Sequence, residues 1–363
     1  MTKARTNASA SPAVGRNMVI NGAMNVAQRS ASVTGLGANG NTYDTVDRIK
    51  INASSTAGRY TMTQTADGPN GISANCVKLD CTTADTSIAA GERLSLATFL
   101  EGQNLQRIGK GVVGAQQVTV SFYVKANAAF TFGLELYDLD NTRQITKLFA
   151  TTTDWVRHEI VIPADVDDGS SPYDDDNAAS LAINFWLHGG SSFTSGTLNT
   201  TAWANADNAL RAAGIDSFFS STDNNFFLTG VQMEVGPVAT EFEQEDISTT
   251  LAKCQRYYYK LPRGGDGSYI PLGTAFATTD VQVAERHPIT MRADPSIAVS
   301  GNLRVVDGAA STISSNAALA NQSSASTLAW YTNNSAFSGL TQFRPYLISG
   351  ESSGNYFEVD AEL

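Results

Sequence analysis

The chain has 363 residues, of which 42% are hydrophobic and only 16% are charged, and its formal net charge is −11 at pH 7. This length suffices for two domains with a core in each, and a charged fraction well below the usual level of about a quarter predicts a surface of small polar side chains. Binding of nucleic acid and insertion into a membrane are excluded, because the sequence contains no cluster of Lys and Arg and no apolar stretch of about 18 residues.

The N-terminal segment, residues 1–25, is predicted to be a docking arm. Residues 1–16 are small and polar and lack the apolar core of a signal peptide. From Asn17 a short apolar run follows, and the turn dipeptide Asn21-Gly22 interrupts it. We therefore expect two short extended pieces where the arm meets the first folded domain.

Residues 26–246 show the period-two alternation of half-buried strands in many short segments, separated by polar turn clusters. Short strands with polar turns favour a β-sandwich of the jelly-roll type. The inward side chains predicted for the two clearest strands are Val118, Val120, Phe122 and Val124, and Phe132, Leu134 and Leu136.

Helical periodicity is scarce. Residues 199–213 predict either a short helix or an irregular excursion that ends at Gly214. A second short helix is predicted near residue 246, with either Asp246 or Ser248 as its N-cap. The domain boundary is placed there, because residues 247–363 return to strand-like sequence and predict a second, smaller β-sandwich. The predicted fold class is therefore all-β.

Three cysteines are too few and too irregularly spaced for a disulfide framework. Cys76 and Cys81 could pair across a tight structure, whereas their spacing without a neighbouring histidine is a poor match to a metal site. We expect Cys76, Cys81 and Cys254 to be buried free thiols, as in a protein assembled in a reducing cytoplasm.

Motifs of known catalytic chemistry are absent from the sequence, and its three histidines lie far apart in strand-like segments. A glycosidase needs two carboxyl groups about 5–10 Å apart in a groove. The available pairs are interpreted as solvated strand faces, so no enzymatic activity is expected. These pairs are Glu135 with Asp138, Glu234 with Glu241, and Glu358 with Asp360.

Calcium is the one cofactor that the sequence suggests. Asp165, Asp167 and Asp168 begin an acidic loop whose carboxylates are of the kind that calcium prefers. Their spacing matches no defined calcium loop, so the default interpretation is a solvated loop without metal.

Exposed aromatic side chains would allow a β-sandwich to stack against sugar rings. Trp155 and Trp186 lie in strand-like sequence and are predicted to be in the core. Trp203 and Phe193 lie in Ser/Thr-rich, loop-like sequence and, together with Tyr173, are the predicted ligand-binding platform.

Several stretches, in order along the chain, resemble a recurrent module of bacteriophage tail-fibre and minor virion structural proteins that contains a carbohydrate-binding-like jelly roll. The opening is similar to N-x-x-x-N-G-x-x-x-x-x-Q-R, which Asn17, Asn21, Gln28 and Arg29 match. Where the family commonly continues Asp-Arg-Trp, this chain has Ile49 after Asp-Arg. The other similar stretches are residues 97–126, 226–245, 254–260 and 284–297.

This resemblance implies a structural virion subunit, a tail fibre that attaches to host-surface glycan, exposed outside the cell after assembly in the host cytoplasm. It also implies a homotrimer whose N-terminal arm docks on other virion proteins, with the four opening residues at that interface. The alternating aromatics Tyr257, Tyr258 and Tyr259 are predicted to form an interface between subunits. The alternatives are a capsid or tail decoration protein without receptor binding and a polysaccharide depolymerase.

Overall fold

A computed structural model describes residues 15–166, 171–263, 270–307, 311–314, 318–333, 335–351 and 355–363. The chain divides into two compact units, Met1–Thr250 and Leu251–Leu363. Helices in the described part of the chain are too short or too polar to cross a bilayer.

The described part of the first unit contains thirteen strands. In chain order they are β1 (Ser32–Leu36), β2 (Asn39–Thr42), β3 (Lys50–Ser54), β4 (Arg59–Thr65), β5 (Cys76–Thr83), β6 (Arg93–Glu101), β7 (Val118–Ala126), β8 (Thr131–Asp138), β9 (Arg143–Ala150), β10 (Val156–Ile162), β11 (Ala179–Gly189), β12 (Ala204–Asn205) and β13 (Asn225–Val235). They form an antiparallel six-stranded sheet, β1-β4-β5-β13-β7-β10, and a seven-stranded sheet, β12-β9-β8-β11-β6-β3-β2. Helix α1 (Ser191–Thr194) follows β11.

Side chains from both sheets meet in one apolar core, which confirms the predicted jelly-roll-like sandwich. Every inward residue predicted for β7 and β8 is buried. At the centre, Phe122 from the six-stranded sheet meets Phe185 from the seven-stranded sheet edge to face, with ring centroids 5.0 Å apart. Full burial of such a side chain stabilises the fold by about 1.5–3 kcal/mol.

The segment predicted to be an arm belongs to the sandwich from Asn17 onward. Met18 and Met24 are buried in the core. The Met18 amide donates a hydrogen bond to the Met233 carbonyl (2.9 Å), and the Gly22 carbonyl accepts one from the Val231 amide (2.9 Å). The first part of the predicted arm, residues 1–14, lies outside the described residues.

The second unit is a smaller all-β sandwich, as predicted. Its strands are β14 (Tyr258–Arg263), β15 (Ile270–Ala275), β16 (Val281–Arg286), β17 (Ser296–Val299), β18 (Leu303–Val306), β19 (Ser311–Ile313), β20 (Ala318–Asn321), β21 (Thr327–Asn333), β22 (Pro345–Gly350) and β23 (Asn355–Asp360). Sheets of order β14-β23-β17 and β19-β18-β22-β15-β16-β21-β20 enclose its core. In that core Trp330 packs against Phe357, with ring centroids 5.7 Å apart.

Helix α2 (Ile247–Gln255) begins where the sequence predicts a short helix. Of the two N-cap alternatives, the structure selects Asp246, whose Oδ1 accepts a hydrogen bond from the Ser248 amide at 2.9 Å. This bond satisfies one of the amides that a helix leaves free in its first turn.

The prediction of buried free thiols is confirmed for Cys76, Cys81 and Cys254. Cys76 and Cys81 lie five positions apart on β5 and so point to opposite faces of the strand, which excludes the alternative of a disulfide between them. Burial raises the pKa of Cys76 to about 11, so this thiol is protonated and unreactive at neutral pH.

Candidate functional site

The predicted sugar-stacking platform is buried, and this prediction is therefore wrong. Trp203, Phe193 and Tyr173 are each only 6% exposed. Trp203 folds inward and its Nε1 donates a hydrogen bond to the Pro163 carbonyl at 2.9 Å. Phe193 packs on Trp186, with ring centroids 5.3 Å apart. A Ser/Thr-rich loop that folds back onto its own sheet has the same composition as an exposed loop, so the sequence does not distinguish the two.

The predicted calcium ligand Asp165 is buried in an internal ion-pair network. Both of its oxygens accept hydrogen bonds from Arg143, Oδ2 from Nε at 2.7 Å and Oδ1 from Nη2 at 2.8 Å. The Lys110 ammonium lies 3.7 Å from Asp165 Oδ2 and 2.7 Å from Asp138 Oδ2. Two cations of the chain thus face two carboxylates.

The default interpretation of a solvated carboxylate is therefore wrong for Asp165, whose oxygens face an ammonium and a guanidinium of the chain. Asp167 and Asp168 lie outside the described residues. Within the described ranges, no group of three or more His, Cys, Asp or Glu side chains is arranged to hold a metal ion.

The first two residues predicted to dock on another protein hold this chain together instead. Asn17 Oδ1 accepts a hydrogen bond from the Met233 amide at 3.1 Å. The Asn21 side-chain amide donates to the carbonyls of Val26 and Asp47, both at 2.9 Å. Asn21 also adopts a φ of 58°, which asparagine tolerates better than most residues.

Gln28 and Arg29 of the same motif also make contacts within the chain. Gln28 Nε2 donates to Asp47 Oδ2 at 2.5 Å. The Arg29 guanidinium lies over the Tyr43 ring, 5.3 Å from its centroid. Gln28 and Arg29 are half-buried, and their role in docking on another protein stays a prediction.

The three tyrosines predicted to lie between subunits are between 1% and 2% exposed within a single chain. The Tyr258 hydroxyl donates to Glu358 Oε1 at 2.7 Å, and the Tyr259 hydroxyl lies 2.7 Å from His287 Nδ1. Tyr257 is buried as well. An interface on Tyr257, Tyr258 and Tyr259 is therefore wrong, because none of them offers surface to a second copy.

Three of the carboxylates interpreted as solvated are buried, which corrects that interpretation. Glu135 and Asp138 are fully buried on β8, and each is paired with a cation of the chain. Glu234, also buried, accepts hydrogen bonds from the Thr240 amide and from Gln232 Nε2, both at 2.8 Å. These carboxylates are occupied by internal donors and are not poised in an open groove.

The outer face of the seven-stranded sheet carries a trough with aromatic walls. Ala182 on β11 lies opposite Tyr137 of β8 on one side and opposite Phe99 of β6 on the other. Both rings are half-buried, whereas Ala182 is buried between them. Since neighbouring strands are about 4.8 Å apart, the two aromatic walls stand about 10 Å apart on a floor of small side chains.

Lysine and tyrosine side chains extend the wall at Phe99. The Lys50 ammonium lies 5.0 Å from the Phe99 ring centroid and 5.4 Å from that of Tyr43. Lys50 is on β3, opposite Ala97 of β6. The ammonium therefore holds two aromatic rings at one rim of the trough through cation–π attraction.

The opposite wall is held by a buried ion pair. Arg211 donates from Nε and Nη2 to the two oxygens of Glu135 at 2.7 and 2.9 Å, and its guanidinium lies 4.6 Å from the Tyr137 ring centroid. Glu135 Oε2 also accepts hydrogen bonds from Asn184 Nδ2 (3.0 Å) and Trp186 Nε1 (2.8 Å). Four donors thus fix this carboxylate and, through Arg211, the Tyr137 ring.

The segment 190–216, which we name the covering segment, hides one end of this outer face. It contains α1, β12 and a 3-10 turn (Asn208–Leu210), so of the two sequence-based alternatives it is the irregular excursion. Phe193 and Ala212 bury Trp186 against the sheet. Arg211 of this segment lies against the Tyr137 ring, and both Tyr137 and Phe99 remain partly exposed.

A depression of about 480 Å³ lies on the uncovered part of the same face. Strand register brings its polar side chains together, with Asn41 opposite Asn52, and Ser54 opposite both Asn39 and Arg93. Amide side chains offer both donors and acceptors, as hydroxyl-rich ligands require. The residues that line it are Asn39, Gly40, Asn41, Asn52, Ala53, Ser54 and Arg93.

Sequence reasoning missed Phe99 and Tyr137, although a signal for them exists. Both occupy positions that alternate with inward residues of their strands, such as Leu100 on β6 and Leu136 on β8. Aromatic residues on the solvent side of a strand are candidates for ligand contact. Trp155 differs from its prediction as a core residue as well, because it is half-buried beside Phe227 on the six-stranded sheet.

A buried histidine near the covering segment predicts a dependence of stability on pH. His188 Nε2 lies 3.2 Å from Glu92 Oε2 and its Nδ1 lies 2.8 Å from Ser217 Oγ, with Asp85 acting on it electrostatically. Burial lowers the pKa of His188 from 6.5, against the opposing effect of Glu92. As the pH falls, His188 therefore takes up a proton in the unfolded chain before it does so in the folded chain. The contribution of neutral His188 to the free energy of unfolding is full above pH 6.5 and decreases below it, by at most about 1.4 kcal/mol per pH unit.

The measurement is urea unfolding at a series of pH values between 7.5 and 5.5 for the native chain and for His188→Gln. The native chain is expected to lose stability with the steeper slope. Equal slopes for the two proteins would contradict the prediction.

Neither a protein-family model nor a curated protein matches this sequence. Among solved structures, the chain is similar to the family 11 carbohydrate-binding module of the cellulosomal cellulase Lic26A-Cel5E of Clostridium thermocellum, at 14% identity and a TM-score of 0.27, over 63% of this chain and 99% of that one. It is also similar to the CBM22-1 xylan-binding domain from Paenibacillus barcinonensis Xyn10C, at 12% identity and a TM-score of 0.26, over 62% of this chain and 100% of that one. For TmCBM61 in complex with β-1,4-galactotriose the identity is 11% and the TM-score 0.28, over 61% and 99%.

Proposed function

We propose that the first unit binds glycan, without cleaving it, on the outer face of its seven-stranded sheet. We further propose that the chain is a structural subunit of a phage virion, a homotrimeric tail fibre that attaches to a host surface. The observation that carries the glycan proposal is the aromatic-walled trough that lies beside an amide-lined depression.

The trough suits a saccharide for geometric and chemical reasons. Tyr137 and Phe99 present ring faces and edges about 10 Å apart, separated by the width of two strand spacings, and a sugar ring can lie against either wall. Each contact of this kind contributes on the order of 1 kcal/mol. Asn41 and Asn52, in register on neighbouring strands, would supply hydrogen bonds to the hydroxyl groups.

A non-catalytic role is supported by the state of the acidic side chains near the trough. Glycoside hydrolysis needs two carboxyl groups with access to the scissile bond. Glu135, two positions from Tyr137 on β8 and on the same face, accepts hydrogen bonds from three side chains of its own chain, Arg211, Asn184 and Trp186. It acts in this arrangement as a structural anion.

The virion proposal rests on the ordered resemblance between this sequence and phage tail-fibre proteins. The contacts of Asn17, Asn21 and Gln28 within the chain give the opening motif a structural purpose, which is to fasten the start of the chain to β13 and to Asp47. An external, neutral surface is consistent with a charged fraction of 16%.

Binding to a panel of purified polysaccharides, measured by affinity electrophoresis and calorimetry, tests the glycan proposal. Phe99→Ala and Tyr137→Ala are each expected to weaken binding about tenfold, since one lost aromatic contact is worth about 1.4 kcal/mol at most. Trp155→Ala, on the six-stranded sheet, is the matched control and should bind as the native chain does. Failure of every glycan to bind, or loss of binding in the control alone, would overturn the proposal, and release of reducing ends would overturn its non-catalytic part.

The virion proposal has a separate test. Light scattering of the purified chain should give the mass of a trimer, and labelling in images of the intact particle should place it on the tail fibres. A monomer in solution, or a position on the capsid surface, would overturn the tail-fibre assignment and leave glycan binding unaffected.

A further inference from the structure

The depression on the seven-stranded face contains a guanidinium that pairs with no carboxylate of the described residues. Arg93, half-buried on β6, lies opposite Ser54 on one neighbouring strand and opposite Gly189 on the other. Its guanidinium rests over the Phe193 ring, 5.6 Å from the centroid. In the described part of the chain, its buried Nε has no hydrogen-bond acceptor and no carboxylate pairs with it.

The neighbourhood does not compensate this charge. The other six residues that line the depression are uncharged. Burial, and then the charge of Arg211, lower the pKa of Arg93, and Arg211 is itself paired with Glu135. A partly desolvated cation without a partner is unfavourable until an anion binds it.

A second unpartnered group lies on the same face of the same strand. Ser95 is two positions from Arg93, so both side chains point to the outer face, and Ser95 lies opposite Asn52. Its Oγ is buried and, like Arg93 Nε, has no hydrogen-bond partner among the described residues. Both atoms lie beneath the surface, so the donors that face the depression are the remaining N–H groups of the Arg93 guanidinium and the amides of Asn52 and Asn41.

We propose that the depression binds the oxyanion group of an acidic glycan, a uronate carboxylate or a sulfate ester, through Arg93. This inference rests on the proposed glycan function and names its ligand class. The planar guanidinium presents paired N–H donors that match two oxygens of a carboxylate or sulfate. Phe193 holds the guanidinium plane from one side, which leaves its edge to the ligand.

One acidic glycan would then contact the outer face of the seven-stranded sheet at two places. Its anionic group would lie at Arg93 and Asn52, and a neighbouring ring would lie in the trough by Phe99, since both positions are on β6 and its neighbours. The positions of Arg93 and Phe99 are six residues apart on one strand, or about 20 Å, a length that several sugar units span. A chain with a net charge of −11 would repel such a ligand elsewhere, so the local cation gives the site its selectivity.

The test is calorimetry with oligogalacturonate, its methyl-esterified neutral form and a sulfated galactan oligosaccharide, at low and high salt. The native chain is expected to bind at least one acidic form about ten- to hundredfold more tightly than the neutral form, with a preference that salt weakens. Whichever acidic form is preferred identifies carboxylate or sulfate as the source of the oxyanion.

Arg93→Met, which keeps an unbranched apolar stem against Phe193, should abolish the preference for the acidic form, so that acidic and neutral forms bind about equally. Lys125→Met, on the six-stranded sheet, removes one cation elsewhere and should retain the preference. Equal binding of acidic and neutral forms, or a preference that survives Arg93→Met, would overturn the inference while Phe99-dependent neutral binding still supported the proposed function. Absence of all glycan binding would overturn both.

Discussion

Replacing Lys110 by Met is expected to lower the free energy of unfolding of the first unit by about 3–5 kcal/mol, the usual cost of breaking a buried ion pair from one side. Lys110 is only 3% exposed, and its ammonium lies 2.7 Å from Asp138 Oδ2 and donates a hydrogen bond to the Ser171 carbonyl at 2.8 Å. The thioether side chain fills similar volume but leaves the Asp138 carboxylate buried without its cation.

Urea unfolding followed by tryptophan fluorescence measures this loss. Lys78→Met is the matched control, because Lys78 pairs with Asp80 at a similar distance, 2.8 Å, but is 29% exposed. Surface pairs contribute about 1 kcal/mol or less. Equal losses for the two variants would contradict the assignment of Lys110 as the internal cation of this network.

The Lys110 network also shows why the default interpretation of Asp165 as part of a solvated loop was wrong. Lys110, Asp138 and Asp165 are distant in sequence, and only the pairing of their strands and loops brings them together. The acidic loop offered carboxylates, but local sequence carries no information about which distant cation will meet them. An ion pair between residues distant in sequence leaves no periodic pattern and no fixed spacing in the sequence from which it could be predicted.

Strand alternation, in contrast, is a local property and predicted the fold well. The inward positions of β7, such as Phe122, follow from period two alone, because successive side chains of a strand point to opposite faces. The same rule gives two faces but does not say whether the outer one is covered. The covering segment buries Trp186 and leaves Phe99 and Tyr137 partly exposed, so the site depends on a tertiary contact that the alternation does not contain.

Loop aromatics failed as predictors for a related reason. Trp203 and Phe193 lie in polar sequence, yet a large apolar ring gains more by burial than the flanking Ser and Thr lose. Trp203 also satisfies its one polar group at the Pro163 carbonyl, so nothing keeps it at the surface. The aromatics that stay accessible are those fixed on strands, where the backbone sets their direction.

Replacing Glu135 by Ala is expected to lower the free energy of unfolding by about 3–5 kcal/mol, because the change leaves the mostly buried Arg211 without its carboxylate. It also removes the acceptor for Asn184 Nδ2 and Trp186 Nε1. Glycan binding should weaken together with stability, since Arg211 would no longer be held against the Tyr137 ring.

Glu135→Gln separates the charge from the hydrogen bonds. The amide oxygen can still accept from Trp186 but does not neutralise Arg211, so we expect a loss intermediate between those of the native chain and Glu135→Ala. Combining Glu135→Ala with Arg211→Ala should cost less than the sum of the two single changes, with a coupling of about 0.5–3 kcal/mol, because the second change removes the uncompensated charge that the first one creates. Additive losses in this double-mutant cycle, measured by urea unfolding, would show that Glu135 and Arg211 do not act as a pair. The position of the Tyr137 ring would then be set by the sheet alone.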